Sequence, residues 1–252
     1  MKLIKKIKNV YLFLCNSKKE LDECIVQQFI EEMQLSNHTT LGLTASNDVS
    51  NIYTRLIDES KTKNINFKKV CSYNLEEFVE FKKDKNCFTY HNWMDKHFFN
   101  FINIKKKHIH FPSDFGLIEI CRYDRQIWKV GGVDLLLLSL NHNEDIRKND
   151  LAKEDYNDLT HIVKLTKEMK NVIINEYSIN KEIDVADYLI TIGIRTILNA
   201  KRIIICAKGK ECAKKIKYLA KGIFDKKIPI ISLLTHRDVR IYMDKDAAEL
   251  II

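Results

Sequence analysis

Two adjacent carboxylates, Glu76 and Glu77, stand just past a predicted strand, Phe67 to Asn74, and carboxylates at a strand end are placed for general acid-base work. The turn Ala45-Ser46-Asn47-Asp48 has helix-capping side chains and stands where a phosphate-binding loop would stand in an α/β fold. Gly209-Lys210 follows a short β-branched run and opens a lysine-bearing helix, a generic arrangement for holding an anion. Asn141 to Asp150 leaves the end of the run Val133 to Leu140, and open α/β sheets bind their ligands at such ends. That loop lacks glycine and carries no His, Cys or Ser at a catalytic spacing. His108 and His110 flank Ile109 on an extended piece, but no Cys or carboxylate cluster accompanies them, so no metal site is assigned.

The elements that must hold these residues alternate in type. Val10 to Cys15 reads as a strand, and Ser17 caps a helix with Leu21, Cys24, Ile25, Phe29 and Met33 at helical spacing, ending near Leu35 to Asn37. Thr39 to Thr44 is a strand, followed by a helix through Ile52, Leu56 and Ile57. Phe67 to Asn74 is a third strand, and Thr89 to Phe101 an aromatic helix whose stripe suits core packing. Leu117 to Val130 is a helix closed by Gly131-Gly132. Val133 to Leu140 is apolar without alternation, as in a strand buried on both faces of a parallel sheet. Leu151 to Asn180 is weakly patterned, with Val163 and Val172 to Ile174 as strand pieces. Ile190 to Ile194, a short helix Arg195 to Ala200, the strand Arg202 to Cys206, a helix from Gly209 to Phe224, the strand Val239 to Met243 and a helical turn Ala247 to Ile252 complete the chain.

This alternation predicts an α/β fold, a doubly wound, mostly parallel sheet flanked by helices, Rossmann-like, in one domain over residues 1–252. Thr39 to Thr44, Val70 to Asn74, Val133 to Leu140 and Arg202 to Cys206 should be parallel neighbours, with the loops after them on one edge.

Composition narrows the function classes. Hydrophobic residues at 45% and charged residues at 30% describe an ordinary globular chain, not a disordered one. The net charge of +8 comes mainly from lysine, while Arg55, Arg122, Arg125, Arg147, Arg195, Arg202, Arg237 and Arg240 are isolated from one another. No Arg-rich helix or aromatic-plus-basic strand stands out, so no sequence-specific nucleic acid partner is expected. Seven cysteines without a C-x-x-C pair imply free thiols and a reducing, cytoplasmic compartment. The apolar core after the N-terminal lysines is too short for a signal peptide, and no segment is long enough to span a bilayer, so no membrane partner is expected.

Several words in the chain, in order, resemble the glucosamine-6-phosphate deaminase family, whose superfamily includes the 6-phosphogluconolactonases. Leu41-Gly42-Leu43 is similar to the strand before the family's T-G-G-T-P phosphate loop. Tyr73-Asn74-Leu75-Glu76-Glu77-Phe78-Val79 resembles its F-N-M-D-E-Y-V, and Thr89-Tyr90-His91 through Met94 to Phe98-Phe99, then Ile102-Asn103-Ile104, its S-Y-H-x-F-M-x-x-x-F-F-x-x-x-D-I. Ile190-Thr191-Ile192-Gly193-Ile194 with Thr196, Leu198 and Ala200 resembles its L-T-V-G-V-G-T-x-x-D-A, and His236 falls where the family has a histidine.

The resemblance implies a cofactor-free reaction that opens glucosamine 6-phosphate, shifts a proton from C2 to C1, and releases ammonia and fructose 6-phosphate. It implies a sugar-phosphate partner and is compatible with a homo-oligomer. By the same resemblance the proton-moving carboxylate falls on Glu76, the ring-opening histidine on Asp145, a glutamate on Asp150 and an aspartate on Asn143. Both phosphate-loop glycines are replaced, by Ser46 and Asn47, and Asp48 stands in place of a hydroxyl. The phosphate lysine falls on Cys212 and the phosphate arginine on Asn175. The implied catalytic set is therefore Glu76, Asp145 and Asp150, and the binding set Thr44, Ser46, Asn47, Asn143 and Lys210. Side chains in place of glycine block the approach of backbone N-H groups to phosphate, and Asp48 adds repulsion. Impaired or altered catalysis is the expectation, with a non-catalytic binder or assembly protein on the same scaffold as the alternative. A 6-phosphogluconolactonase is disfavoured because no arginine follows the acidic pair in Glu76-Glu77-Phe78.

Overall fold

The computed structural model describes residues 1–36, 38–62, 65–79, 87–112, 120–140, 159–180, 185–222 and 229–252. Its main sheet contains β1 (Lys2–Ile7), β2 (Val10–Leu14), β3 (Thr39–Leu43), β4 (Val70–Asn74), β6 (Ile109–His110), β7 (Leu135–Ser139), β10 (Arg202–Ala207) and β11 (Val239–Met243). Their order is β1-β2-β11-β10-β7-β3-β4-β6. All neighbours are parallel except β1 and β2. The four strands expected to be parallel neighbours are consecutive, β10-β7-β3-β4. A second, three-stranded antiparallel sheet holds β5 (Glu76–Val79), β9 (Tyr188–Thr191) and β8 (His161–Lys164) in the order β5-β9-β8.

The unbroken apolar run of β7 makes sense at the centre of this sheet. Leu135 and Leu137 point into one core, with Leu21, Ile25 and Phe29 of α1 (Lys18–Leu35) and Ile52 and Leu56 of α2 (Ser50–Lys61). Leu136 and Leu138 point into the other, with Tyr123 and Ile127 of α4 (Cys121–Lys129) and Ile216 and Leu219 of α7 (Ala213–Lys221). A strand covered on both faces loses the polar alternation of a half-exposed one. Gly42 of β3 is needed at this centre, because a Cβ there would stand 2.7 Å from Leu136 Cδ1. The end of α4 requires Gly131 and Gly132, whose φ angles are 95° and 85°.

Helix α1 begins as its sequence suggests, with Ser17 Oγ accepting from Glu20 N at 3.1 Å. The aromatic segment is shorter than expected: α3 covers Tyr90–His97, and Phe99–Phe101 is a separate 3-10 turn. Phe67–Lys69 is likewise a 3-10 turn, and the strand begins at Val70. Val163 lies on a strand, but Val172 to Ile174 belong to α5 (Lys167–Glu176), a correction with a simple cause. Met169 and Ile173 are buried four residues apart while Val172 is 38% exposed, so one-sided burial at helical spacing overrides β-branched propensity. Ile194–Leu198 forms α6, the helix expected from Gly209 begins at Ala213 after a 3-10 turn, and Lys245–Ala248 is α8.

Candidate active site

The carboxyl ends of β3, β4, β7 and β10 converge on one edge of the sheet, and the loop after β3 lies across it. Thr44 and Ser46 in that loop are buried, and Asn47 projects outward. The Thr44 carbonyl accepts from Tyr53 Oη at 2.6 Å, and Ser46 Oγ accepts from Asp48 N at 3.3 Å. The C-terminal end of α5 closes on the same loop, where Tyr177 Oη donates to the Ala45 carbonyl at 2.8 Å and Asn47 Nδ2 donates to the Glu176 carbonyl. The half-buried Asp48 carboxylate accepts from Ser139 Oγ, at the end of β7, at 3.2 Å.

The two acids of the Glu76-Glu77 pair have different work. Glu77 is buried and accepts from the backbone N-H groups of Phe78 (2.8 Å), Tyr90 (2.9 Å) and His91 (2.7 Å), so it caps the start of α3. Glu76 is half-buried, lies opposite Thr191 across β5 and β9, and accepts from Thr191 Oγ1 at 3.3 Å. Of the pair, Glu76 is the less buried, and its charge acts on Glu176 at the end of α5.

Two groups went unnoticed in the sequence. Lys208, just past β10, is only 8% exposed. Its Nζ donates to Asp22 Oδ1 of α1 at 2.7 Å and to the Asp48 carbonyl at 2.6 Å, fixing the loop from beneath. Glu176 is the other. Burial, with the nearby Asp48 carboxylate adding to it, pushes the Glu176 carboxyl up to about 7, and Glu76 acts in the same direction. Nothing in the local sequence sets Glu176 apart; it becomes visible only when α5 is packed beside the β3 loop. The signal for Lys208 was its position directly after a buried strand, where a lysine needs a partner.

Lys210, expected to face this loop, lies beside Glu249. Its side chain is 72% exposed and lies 3.9 Å from Glu249 Oε2. The N-H of Gly209 donates to the Asp244 carboxylate at 3.1 Å, so the anion position at this turn is taken by the protein's own acid. Cys212, where the resemblance puts a lysine, is buried, and its Sγ contacts the carbonyls of Leu140 and Lys208. Asn175 lies exposed on α5 next to Glu176. His236 is buried, with Nε2 on the Ala200 carbonyl and Nδ1 accepting from Asp238 N, and burial holds its imidazole below the usual range. Asn143, Asp145 and Asp150 lie outside the described residues. His110 stacks on Tyr73 at 4.8 Å, and among the described residues no cluster of three or more metal-ligating side chains occurs. Among those residues, no helix is long and apolar enough to cross a membrane.

Glu176 carries a testable pH dependence. Its carboxyl is protonated in the folded state up to about 7, against an ordinary value of 4.5, so the folded state holds a proton that the unfolded state has lost between those values. That contribution to stability is full below 4.5 and is lost as the pH rises through 7. Glu176→Gln is expected to flatten this decline and to raise stability at pH 8 by about 2 kcal/mol, allowing for partial exposure. Denaturant melts of both proteins at pH 5 and pH 8 check it; an equal pH dependence in the two would contradict it.

No protein-family model matches the chain. It is 37% identical over 238 residues to the glucosamine-6-phosphate deaminase of Thermoanaerobacter sp. (strain X514), covering 93% of this chain and 90% of that one. The glucosamine-6-phosphate deaminase of Mycoplasma mycoides subsp. mycoides is 31% identical over 237 residues, covering 94% and 96%. A solved monomeric glucosamine-6-phosphate deaminase superposes with a TM-score of 0.82 at 26% identity, covering 95% of this chain and 99% of its own. The 6-phosphogluconolactonase of Thermotoga maritima shares the fold, with a TM-score of 0.67 at 11% identity.

Proposed function

Because this chain belongs to the glucosamine-6-phosphate deaminase family, we propose that it keeps the family's proton-moving carboxylate while its phosphate end has been rebuilt, so that turnover of glucosamine 6-phosphate is impaired or altered. The carrying observation is the electrostatics of the β3 loop. Where a phosphate would need cations and free N-H groups, the loop presents the Asp48 carboxylate, and the C-terminal end of α5 with Glu176 lies against it. The end of a helix that bears its unpaired carbonyls repels anions. The one buried cation at the loop, among the described residues, is Lys208, and Asp22 already pairs with it.

Acid-base capacity survives in this reading. Glu76 is the base that would move a proton between neighbouring sugar carbons, held by Thr191. Glu176, titrating near neutrality, is matched to exchanging a proton at pH 7, a task that a carboxyl of ordinary pKa performs poorly. Asp145, Asp150 and Asn143 would complete the site from the loop after β7, with Thr44, Ser46 and Asn47 on the substrate's far end. The observations at Gly209 and Cys212 favour a second reading, a non-catalytic assembly protein on the same scaffold, since both places where an anion would be held are filled by the protein itself.

A ligand at a hundredfold excess over its Kd stabilises a protein by about 2.7 kcal/mol. Thermal melts with millimolar glucosamine 6-phosphate should therefore show no clear shift. Asp48→Ser, which removes the repelling carboxylate, should produce one. A shift of several degrees in the unaltered protein would overturn the rebuilt phosphate end.

A further inference from the structure

Eight lysines, equal in number to the net charge of +8, stand on two elements. Residues 1–8 contain Lys2, Lys5, Lys6 and Lys8, and residues 213–222 contain Lys214, Lys215, Lys217 and Lys221, with no Asp or Glu in either stretch. Every other Lys and Arg in the chain is matched in number by the 34 Asp and Glu. The fold brings the two stretches side by side. Gly222, at the end of α7, is so close to β1 that a Cβ on it would stand 2.9 Å from Ile7 Cγ2. Ile4 and Ile7 pack on the core that also contains Ile216, Leu219 and Ala220 of α7. All of these lysines but Lys215 are exposed, and none of the exposed ones pairs with a carboxylate among the described residues.

We infer that the face formed by β1 and α7 is a docking surface for single-stranded nucleic acid, held through its phosphate backbone and without sequence preference. Closely grouped lysines act as point charges toward phosphates, and the patch has no Arg, Asn or Gln with which to read base edges. Tyr218 stands among the lysines with 48% of its surface exposed and offers a ring on which a base can stack. A bilayer surface fits less well. A helix lying on lipid keeps aliphatic side chains on its outer face, whereas α7 buries Ile216 and Leu219 and shows water only lysines and Tyr218. The exposed Leu3 pairs with Phe13, which packs on the α1-side core, three register steps along the β1 ribbon from the Ile7–Val10 pair on the α7 side, with an irregularity between Leu3 and Lys5.

The test is fluorescence anisotropy with a labelled oligo-dT 20-mer across a salt series. Binding should weaken as salt rises, with a log-log slope of roughly −0.7 for each phosphate neutralised on a single strand. Joint replacement of Lys5, Lys8, Lys217 and Lys221 by Glu should weaken binding at least tenfold in 50 mM salt and flatten the slope. Replacement of Lys96, Lys105, Lys107 and Lys129 by Glu changes net charge equally and should leave most of the binding. The same four patch positions changed to Gln give a milder variant if the Glu version fails to fold. The proposal is overturned if the unaltered protein does not bind, if both charge-reversed sets weaken binding alike, or if the protein binds vesicles of phosphatidylcholine and phosphatidylserine but not the oligonucleotide. An equal loss would mean that the lysines only keep the edge strand from pairing with other chains.

Discussion

Lys208→Met is expected to destabilise the fold by about 3 to 5 kcal/mol, because it leaves the Asp22 carboxylate buried without its cation. Asp22 is almost fully buried on α1, and the 2.7 Å contact with Lys208 Nζ is the ion pair that reaches it. The same substitution removes the 2.6 Å donor to the Asp48 carbonyl, so the β3 loop loses the contact that fixes it from below. At roughly 2 to 4 °C per kcal/mol for a chain of this size, the melting temperature should fall by about 10 °C. Asp22→Leu alone should be comparably costly, since it strands the lysine instead. The double variant should recover most of the loss, because an apolar pair of similar volume no longer buries an unmatched charge. Thermal melts of the three variants form a double-mutant cycle. A cycle in which the two losses simply add would show that Asp22 and Lys208 do not act as a pair.

The sheet was legible in the sequence because burial on both faces leaves a plain mark. The runs in β3, β7, β10 and β11 are short and apolar, and each is followed by a polar or glycine-containing turn. The aromatic helix and α5 were harder. A stripe such as Tyr90, Trp93 and Met94 fixes that a helix exists but not where it stops, and the β-branched Val172 to Ile174 suggested a strand until their burial showed a helical period. The lysine-rich β1 has little apolar content of its own; pairing with β2 makes it a strand.

Around the candidate site, local motifs drew attention to Glu76 and the β3 loop but could not separate Glu76 from Glu77. That distinction depends on the start of α3, thirteen or more residues further on, folding back to donate its N-H groups to Glu77. Lys210 was chosen because glycine turns before helices bind anions. In the fold, the Asp244 carboxylate, from the far end of the chain, occupies that turn. Lys208 and Glu176 draw their properties from Asp22, Asp48 and Glu76, all remote in sequence.

The second large expected effect is on turnover. One general acid-base group is worth typically about 10²- to 10⁴-fold in rate, and the resemblance places an aspartate, Asp145, where the family uses a histidine. In the proposed site, the phosphate that would orient the sugar would meet Asp48 and the carbonyl end of α5, and a misplaced substrate loses rate even where the base is intact. By the resemblance, Glu76 stands where the family has an aspartate and is one methylene longer, which would move the proton acceptor relative to C2. These losses act on the same transition state, so their effects are not independent. Release of fructose 6-phosphate from millimolar glucosamine 6-phosphate should be at least about 10²-fold slower than in a deaminase relative with intact motifs.

The measurement that bears most directly on the rebuilt site is therefore a coupled assay of fructose 6-phosphate release, run on this protein, on its Glu76→Gln variant, and on the Thermoanaerobacter relative. The expected result is a rate in the unaltered protein far below that of the relative, and a further fall of the remaining rate in Glu76→Gln. A rate within about tenfold of the relative's, abolished by Glu76→Gln, would contradict it and show a working deaminase despite Asp48 and the engaged Lys208.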